Sequence, residues 1–400
     1  MIRHADWLVD VGPDAGDGGG LILYSGPPTG LGQIEQSRTA HYLAHPRRPL
    51  PTTRREPKGH LKIRGVTRNN LRGFDVDIPL GVLASITGVS GSGKSSLISQ
   101  FLVDVVAGHL GHTLAIEADD DSLAPTVETL GGRITAGLDR IGRLVVVDQK
   151  PIGRTPRSNL ATYTGLFDHV RRLFAATPQA KTRRYDAGRF SFNVAKGRCA
   201  TCEGEGFVCV ELLFLPSVYA PCPTCKGARY NDKTLEVKIR GKSIADVLAM
   251  RVDEAFDFFR DDATLSRSLS VVREVGLGYI RLGQSATELS GGEAQRIKLA
   301  TELMRPQRGH TLYILDEPTT GLHPRDVERL IAQLERIVDA GNSVVVVEHD
   351  MDVVSHSDWI IDLGPGAGDE GGTIVASGTP HQVAKAGGKT ASYLARRLKQ

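Results

Sequence analysis

Short apolar runs alternate with amphipathic stretches along the chain, and this pattern predicts an α/β fold. Runs that are apolar at nearly every position predict buried strands. They cover residues 82–87, 144–148, 311–316 and 343–347. Alternation of apolar and polar residues at 61–66 and 74–78 predicts two strands of a half-buried sheet. We therefore expect a buried sheet with a second, partly exposed sheet beside it.

Helical spacing of apolar residues marks the stretches between these strands. A helix is predicted from Ser95 to about Val106. Its inward positions are Leu97, Ile98, Phe101 and Leu102. Residues 243–282 predict several helices joined by short loops, and a further helix is predicted from Ser290 to about Met304. The acidic stretch Glu117–Asp121 predicts a solvated loop.

The loop between the first buried strand and its helix, Gly88–Ser95, reads GVSGSGKS and fits the phosphate-loop pattern. Successive backbone N–H groups and the positive end of the helix predict a cradle for the phosphates of ATP. Lys94 is predicted to reach the β and γ phosphates, and Ser95 to hold Mg²⁺. An accidental glycine-rich turn is the alternative, and the strand–loop–helix context disfavours it. The predicted nucleotide-binding residues of this loop are Gly88, Ser90, Gly91, Gly93, Lys94, Ser95 and Ser96.

Polar side chains follow three of the buried strands. Asp316 is predicted to bind Mg²⁺, directly or through water, and Glu317 to polarise the attacking water. Gln149 follows the strand at 144–148 and is a candidate for contacting the metal and the water, although most such glutamines are surface residues. His349 follows the strand at 343–347 and is predicted to contact the γ-phosphate. A lone histidine is usually structural, but its position and the order of the motifs favour a functional role.

Ser290, Gly291 and Gly292 open the helix that runs to about Met304. Ser290 is a predicted N-cap, with Glu293 as its capping-box partner, and the glycines leave the N-terminal amides open to an anion. As a cap alone this would be unremarkable. Together with a phosphate loop, it is the signature of the ATP-binding-cassette class. In that class the helix start of one domain closes on the nucleotide held by another.

Two cysteine pairs, Cys199-x2-Cys202 and Cys222-x2-Cys225, have the spacing of a four-thiolate zinc site. Four thiolates leave no open position for water, so the predicted zinc is structural. Two incidental pairs of buried cysteines are the alternative. The fifth cysteine, Cys209, is predicted to be buried rather than reactive.

Basic residues surround the cysteine pairs and suggest DNA contacts. They are Arg189, Lys196, Arg198, Lys226 and Arg229. Tyr185, Phe190 and Phe192 are interleaved with them, and aromatic rings can stack or wedge at bases. From these residues alone, a nucleic-acid surface and a solvated zinc module of ordinary charge are equally supported.

Composition changes this picture only in part. Forty-nine basic and 46 acidic residues give a net charge of +3, so a nucleic-acid surface would have to be a local patch. No apolar run approaches the length of a membrane span, and no signal peptide is visible, which predicts a cytoplasmic protein without a membrane partner. A reducing compartment favours metal binding over disulfides for the five cysteines.

The sequence around Trp7 recurs around Trp359. Residues 4–13 match 356–365, and the match continues at later positions up to 42–44 and 393–395. A spacing of about 350 residues is typical of duplicated domains rather than of a short-period solenoid. The N-terminal copy therefore reads as the tail of a nucleotide-binding domain whose body is not in this chain. A linker rich in proline and arginine follows it.

Taken together, these motifs resemble the UvrA family, the damage-sensing ATPase subunit of the bacterial excinuclease, over nearly the whole chain. The most specific pieces are residues 148–159, 188–193 and 275–284, with the signature at 289–296 and the stretch 315–323. The resemblance implies an ATP-binding-cassette core split by an inserted helical signature domain that carries the zinc module. It also implies ATP-site roles for Lys94, Ser95, Gln149, Asp316, Glu317 and His349. By the same resemblance Cys199, Cys202, Cys222 and Cys225 are zinc ligands.

The resemblance predicts five segments. They are a tail of a preceding cassette at 1–45, a linker at 46–59, the first part of the core at 60–150, the signature domain at 151–290 with its zinc module at about 183–232, and the signature helix with the rest of the core at 291–400. The expected cofactors are ATP, Mg²⁺ and Zn²⁺.

The predicted function is ATP-driven recognition of damaged duplex DNA in nucleotide excision repair, by a component that is not itself a nuclease. A second cassette is the expected partner, from a homodimer or a companion N-terminal half. The domain that recruits the UvrB helicase lies in the missing half of the family pattern. His349-Asp350 replaces the more usual His-Asn, which could point to a paralogue. The alternatives are therefore a drug-tolerance or self-resistance paralogue without UvrB recruitment, and a half-protein needing a companion chain.

Overall fold

The computed structural model of this chain describes residues 2–14, 16–44, 48–111, 131–212, 215–306 and 309–399. The predicted loop Glu117–Asp121 and the start of the predicted linker, residues 46–47, lie outside these residues. Within the described ranges, no helix combines the length and the apolar character that crossing a membrane requires.

Strands and helices alternate through much of the chain. In order, the strands are β1 (Leu8–Gly12), β2 (Leu21–Gly26), β3 (Gly59–Val66), β4 (Phe74–Leu80), β5 (Leu83–Gly88), β6 (Arg133–Ala136), β7 (Arg143–Val147), β8 (Phe207–Leu212), β9 (Leu215–Pro221), β10 (Lys238–Ile239), β11 (Lys242–Ser243), β12 (Thr311–Asp316), β13 (Ser343–Val347), β14 (Trp359–Gly364) and β15 (Thr373–Gly378). The α-helices are α1 (Arg38–Ala44), α2 (Val103–His109), α3 (Leu160–Tyr163), α4 (Leu166–Ala176), α5 (Pro178–Thr182), α6 (Asp232–Leu235), α7 (Ile244–Ala249), α8 (Val252–Phe258), α9 (Ala263–Glu274), α10 (Gly291–Met304), α11 (Pro324–Asp339), α12 (Met351–His356), α13 (Pro380–Ala386) and α14 (Lys389–Leu398).

The chain forms two compact units. The first unit comprises Met1–Asp10, Leu23–Gln149 and Pro306–Gln400, and the second comprises Val11–Ile22 and Lys150–Arg305. The sequence placed a domain boundary after residue 150, close to this division. It grouped the signature helix with residues 306–400, whereas in the structure α10 lies in the second unit.

A mixed sheet forms the centre of the first unit, with the described strands in the order β15-β14-β5-β13-β12-β7. Neighbouring strands are parallel except β15, which is antiparallel to β14. The four predicted buried strands are confirmed as β5, β7, β12 and β13. Because the carboxyl ends of parallel strands share one edge, the loops after Gly88, Val147, Asp316 and Val347 meet at that edge.

A second sheet of the first unit contains β4, β3 and β6 in that order, all antiparallel. Leu61 and Ile63 of β3 are buried while Lys62 between them is exposed, which confirms the predicted alternation. These side chains join one core with β5, β12 and β13.

The helix predicted to start at Ser95 begins in the structure as a π-helical segment, Ser96–Leu102, and continues as α2. Its hydrogen bonds therefore span one residue more than in an α-helix. All four predicted inward side chains are buried, so the periodicity identified the correct face. The spacing cannot distinguish the two helix types, because both place these residues on one side.

The second unit is mostly helical, with α3–α10 and the hairpins β8–β9 and β10–β11. Leu166, Phe167, Val170 and Phe174 of α4 recur at helical spacing, and all four are buried. The predicted helices at 243–282 are confirmed as α7, α8 and α9, with Val247, Leu248 and Phe259 buried.

The sequence repeat is also a structural repeat. Trp7 Nε1 donates a hydrogen bond to Ser25 Oγ at 3.1 Å, and Trp359 Nε1 donates to Ser377 Oγ at 3.0 Å. The Asp10 carboxylate accepts from Ser37 and Thr39, and the matching Asp362 accepts from Thr87 and Thr390. The hairpin β1–β2 thus repeats the local structure of β14–β15 outside the central sheet.

Candidate nucleotide-binding site and metal centre

The phosphate loop leaves the sheet at Gly88, the last residue of β5. Gly88 has a φ of +137°, and a Cβ there would lie 2.2 Å from the backbone oxygen of Leu363, so only glycine fits. Gly91 and Gly93 also have positive φ, while Ser90 and Ser95 are exposed at the mouth of the loop. This backbone has the concave form that binds anions through N–H groups.

Lys94 is folded into the loop that it closes. Its side chain is 6% exposed, and Nζ donates to the carbonyl oxygens of Gly88 at 3.1 Å and Val89 at 2.9 Å. Burial lowers the pKa of Lys94, and the negative charges of Glu317 and Asp316 oppose that shift. The nearby carboxylates thus favour a charged lysine in a buried position.

Two asparagines that the sequence did not suggest brace this loop. Asn70 Nδ2 donates to the Gly91 oxygen at 3.1 Å, and Asn69 Nδ2 donates to Ser96 Oγ at 2.9 Å. Both belong to the turn after β3, about 20 residues before the loop in sequence. Short-range patterns carry no signal for such contacts.

The acidic residues lie at the end of β12 as predicted, with Asp316 its last residue and Glu317 directly after it. Burial raises the pKa of Asp316, and the charge of Glu317 raises it further, while a hydrogen bond from Ser99 Oγ at 3.4 Å lowers it. Glu317 has a φ of +43°, a left-handed conformation that is strained for a residue with a side chain. Gln149 Nε2 donates to the Glu317 carbonyl at 3.1 Å and stabilises this turn.

His349 lies across from Glu317, with Nε2 3.5 Å from Oε1. Burial lowers the pKa of His349, and the positive charge of Lys94 lowers it further, so the imidazole is neutral near pH 7. The structure therefore brings the lysine, both carboxylates, Gln149 and His349 to one edge of the sheet. The catalytic and Mg²⁺-binding roles of these residues stay predictions.

Glu348 is a buried carboxylate that the sequence did not single out. It is 1% exposed and directly precedes His349. Its oxygens accept hydrogen bonds from the backbone N–H groups of Thr319, His349 and Asp350. Burial raises the pKa of Glu348, and these N–H groups oppose the shift. A charged residue at the end of an otherwise apolar strand was the available signal.

The signature motif caps α10 as predicted. Ser290 Oγ accepts from the Glu293 N–H at 3.3 Å, and Glu293 Oε2 accepts from the Ser290 N–H at 2.8 Å, so the capping box is confirmed. Tyr279 donates to the same glutamate at 2.6 Å. Ser290 and Gly291 are exposed, which leaves the helix start open to an anion.

The four predicted cysteines converge in the second unit. Their sulfur atoms all lie within 4.8 Å of one another, and Cys202 and Cys225 are 3.6 Å apart. Sulfurs bonded to one tetrahedral zinc at about 2.3 Å would be separated by about 3.8 Å. The donor set and spacing therefore fit Zn²⁺. Gly204, with a φ of +88°, forms the first turn, where a Cβ would lie 1.9 Å from the Phe192 oxygen.

The thiols have different tendencies to ionise. Backbone N–H groups of Cys225 and Thr224 lower the pKa of Cys222 to about 7, whereas burial raises the pKa of Cys225 to about 12 and also raises that of Cys202. A cation is needed to hold all of these groups as thiolates. Cys209 is exposed on β8, so the prediction that it is buried is wrong. Its neighbour Val210 is exposed too, because this strand belongs to a small hairpin.

Of the two alternatives for the aromatic residues, the structure excludes stacking of Phe190 and Phe192 on bases. Phe190 is 0% and Phe192 is 1% exposed. Phe167 stacks on Phe192 with ring centres 5.1 Å apart, and Phe174 packs on Phe190 at 5.5 Å. Both rings belong to the core of the second unit, where DNA cannot reach them.

The predicted DNA-contacting residues divide by exposure. Arg229 is 5% exposed, and its guanidinium donates to the carbonyl oxygens of Pro156 at 3.0 Å and Gly283 at 3.1 Å. The prediction that Arg229 contacts DNA is therefore wrong for this conformation, because its donors stabilise the interior.

The other predicted basic residues lie nearer the surface. Arg189 donates to Thr234 and Asn231, and Arg198 pairs with Glu203 at 3.0 Å. Lys196 and Lys226 are exposed. The exposed lysines are the residues of this set best placed for phosphate contacts.

Comparisons with known proteins agree with this geometry. A family model described as "ABC transporter" matches residues 226–320, which include the signature and the acidic pair. UvrABC system protein A of Thermus thermophilus is 52% identical over 397 residues, which are 99% of this chain and 40% of that protein. The protein of the same name from Mycobacterium tuberculosis is 53% identical over 386 residues, 96% of this chain and 38% of that protein.

A solved structure extends the likeness to three dimensions. The crystal structure of UvrA2 from Deinococcus radiodurans superimposes with a TM-score of 0.91 at 63% sequence identity. The match covers 99% of this chain and 47% of that one. The chain thus spans less than half the length of the relatives that it matches.

Proposed function

We propose that this chain, which is similar over nearly its whole length to UvrABC system protein A, belongs to that family and is a DNA-binding ATPase of the ATP-binding-cassette type, acting in the recognition of damaged duplex DNA. The observation that carries the proposal is the meeting of Lys94, Asp316, Glu317 and His349 beside the phosphate loop. Phosphoryl transfer needs little from a protein beyond positioning and charge stabilisation, and this set of groups supplies both.

Each residue has a distinct part in the proposed reaction. The loop amides and Lys94 bind the phosphates and offset their charge. Ser95 and Asp316 would hold Mg²⁺, which would neutralise charge on the nucleotide phosphates. Glu317 orients the attacking water, and the neutral imidazole of His349 donates a hydrogen bond to the γ-phosphate. Gln149 keeps Glu317 in its strained turn, which the hydrogen bond to the Glu317 carbonyl supports.

We further propose that a second cassette completes the site. Ser290, Gly291 and Gly292 of one cassette close on the nucleotide that the other holds, which excludes water from the reaction. Residues 1–45 are the tail of a preceding cassette in this account. Support comes from the exposed apolar face of β1, where Val9 is 51% exposed although its counterpart Ile361 is 0% exposed.

We also assign a structural zinc ion to the four cysteines. The fit of their sulfur atoms to a tetrahedral site supports this assignment. Zinc would hold the two turns that present Lys196, Arg198 and Lys226, and these side chains would contact DNA phosphates. Arg189 is a weaker candidate because Thr234 and Asn231 already accept its hydrogen bonds.

Removing the phosphate-loop lysine tests the proposal. Lys94→Ala is expected to lower the rate of Mg²⁺-ATP hydrolysis by about 100-fold or more, because a preorganised charge on the phosphates is lost. Glu317→Gln is expected to abolish turnover while nucleotide affinity is retained. Phosphate release and fluorescent-nucleotide titration measure the two effects.

Lys62→Ala is the matched control, since Lys62 is exposed on β3 of the same unit. Its rate of ATP hydrolysis should equal that of the wild type. A wild-type rate for Lys94→Ala would contradict the proposal. Duplex DNA with a bulky lesion is expected to stimulate hydrolysis more than undamaged duplex. Equal stimulation by both would remove the damage-recognition part and leave the ATPase.

A further inference from the structure

Glu348 joins two segments of the chain that carry the proposed chemistry. Its Oε1 accepts from the Thr319 N–H at 2.9 Å. Its Oε2 accepts from the N–H groups of His349 at 2.9 Å and Asp350 at 3.0 Å. Thr319 follows Glu317 by two residues, so one side chain links the acidic turn to the histidine turn.

The buried position of Glu348 makes its three hydrogen bonds strong. Glu348 is 1% exposed, so its carboxylate has lost its hydrating water. Burying this group without hydrogen-bond partners would be energetically costly. Three backbone donors replace that water, and charge-assisted hydrogen bonds are about twice as strong as neutral ones. The link is therefore rigid, because breaking any of the bonds leaves buried charge or a buried N–H group unsatisfied.

Backbone pairing reaches only part of this region. The Glu317 N–H donates to Val347 at 2.9 Å, and the Glu348 N–H donates to Ile86 at 3.1 Å, so β5, β12 and β13 are joined where they end. The Glu348 side chain bonds to both turns, and 3.5 Å separates the Glu317 and His349 side chains that extend from them.

We propose that Glu348 is a positioning residue that sets the separation between Glu317 and His349, and so places the attacking water relative to the γ-phosphate. This inference rests on the proposed ATP hydrolysis. The phosphate loop is held by other contacts, through Lys94 and Asn70, and does not depend on Glu348. Losing the link should therefore impair turnover and leave nucleotide binding intact.

Glu348→Gln separates these effects. A glutamine side chain has one acceptor oxygen, so it can accept from the N–H of Thr319 or from the N–H groups of His349 and Asp350, but not from both turns. Its NH₂ group then faces the remaining N–H donors. We expect kcat for ATP to fall about 10- to 100-fold, as for a small misplacement of reacting groups. The Kd for nucleotide should stay within about twofold of the wild-type value, since the phosphate cradle is unchanged.

Asp358→Asn is the matched control. Asp358 is 2% exposed and accepts from the backbone N–H groups of Leu83 at 2.9 Å and Arg55 at 3.0 Å. It directly precedes β14 and contacts Leu83, the first residue of β5, at the end of that strand opposite the site. This variant should lower Tm while the folded protein keeps its kcat. A wild-type kcat for Glu348→Gln would overturn the inference. A decrease in kcat that is fully explained by the fraction of unfolded protein would overturn it too.

Amide hydrogen exchange tests the link without relying on turnover. The N–H groups of Thr319, His349 and Asp350 are expected to exchange slowly in the wild type, and Thr319 or His349 should exchange faster in Glu348→Gln. Fast exchange at Thr319 in the wild type would overturn the inference even if the variant did not fold. Absence of Lys94-dependent turnover would instead refute the proposed ATPase activity. The exchange measurement would still test whether Glu348 links the two turns.

Discussion

Burial shifts the pKa of single side chains at both sites. It lowers the pKa of Lys94, and the negative charges of Glu317 and Asp316 oppose that shift. Burial raises the pKa of the thiols of Cys202 and Cys225. A metal ion would supply positive charge that stabilises the thiolates, which links the zinc assignment to a measurable proton release.

Zinc binding should therefore depend on pH in a defined direction. We expect about one zinc per chain, since four thiolates complete one tetrahedral site. Protons compete with the metal for thiolates, so the affinity for zinc should fall as pH decreases. Thiols with a raised pKa, such as Cys225 with a pKa of about 12, should contribute most to this fall. Metal analysis after dialysis at several pH values, with a pH-indicator titration of proton release, measures this.

Cysteine variants provide the matched comparison for the metal. Cys225→Ser should lose zinc and destabilise the second unit. Cys209→Ser should retain zinc, because Cys209 is exposed and outside the cluster. Folded, metal-free wild-type protein, or equal zinc loss in both variants, would contradict the assignment.

The residue types of the sites could be predicted from sequence, but their exposure could not. The cysteine spacing identified a cluster that the structure confirms. Phe190 and Arg229 looked equally suited to DNA, yet both are buried. Their environment comes from α4 and from residues near 156 and 283, which local patterns do not reveal. Tertiary packing thus decided what each residue can contact.

At the scale of elements, the duplicated hairpins give a controlled comparison. β1 and β14 carry the same tryptophan–serine and aspartate–hydroxyl bonds. β14 pairs with β5 inside the central sheet, whereas β1 pairs only with β2 among the described strands. Equivalent side chains should therefore contribute very differently to stability.

Truncating one equivalent pair tests this difference. Ile361→Ala should lower the free energy of unfolding by about 2–5 kcal/mol, as expected for a large-to-small change in a core. Val9→Ala should change it by about 0.5 kcal/mol or less, because the side chain is 51% exposed. Chemical denaturation measures both, and an equal loss in the two variants would contradict the description of β1.

Strands and caps were the most predictable elements. Apolar runs located β5, β7, β12 and β13, and the capping box of α10 followed from Ser290 and Glu293. The links made by Asn70 and Glu348 were missed, since each joins residues 20 or more apart in sequence. The π-helical start of the helix after Ser95 was also missed, because both helix types bury the same face.

For the whole molecule, the phosphate loop and the signature motif lie in different compact units. The phosphate loop belongs to the first unit and the start of α10 to the second. In the ATP-binding-cassette class, the phosphate loop of one cassette and the signature motif of another act on the same nucleotide. The central claim is therefore that this cassette hydrolyses ATP only when a second cassette closes on it.

The rate of ATP hydrolysis per chain, measured over a range of protein concentrations, tests that claim most directly. At saturating Mg²⁺-ATP the rate should be slow for the dilute chain and rise with concentration, or on addition of a companion N-terminal half. Glu317→Gln should remain associated with its partner in ATP, as followed by sedimentation velocity. A full, Lys94-dependent rate that is independent of concentration in a chain that stays monomeric would contradict the account.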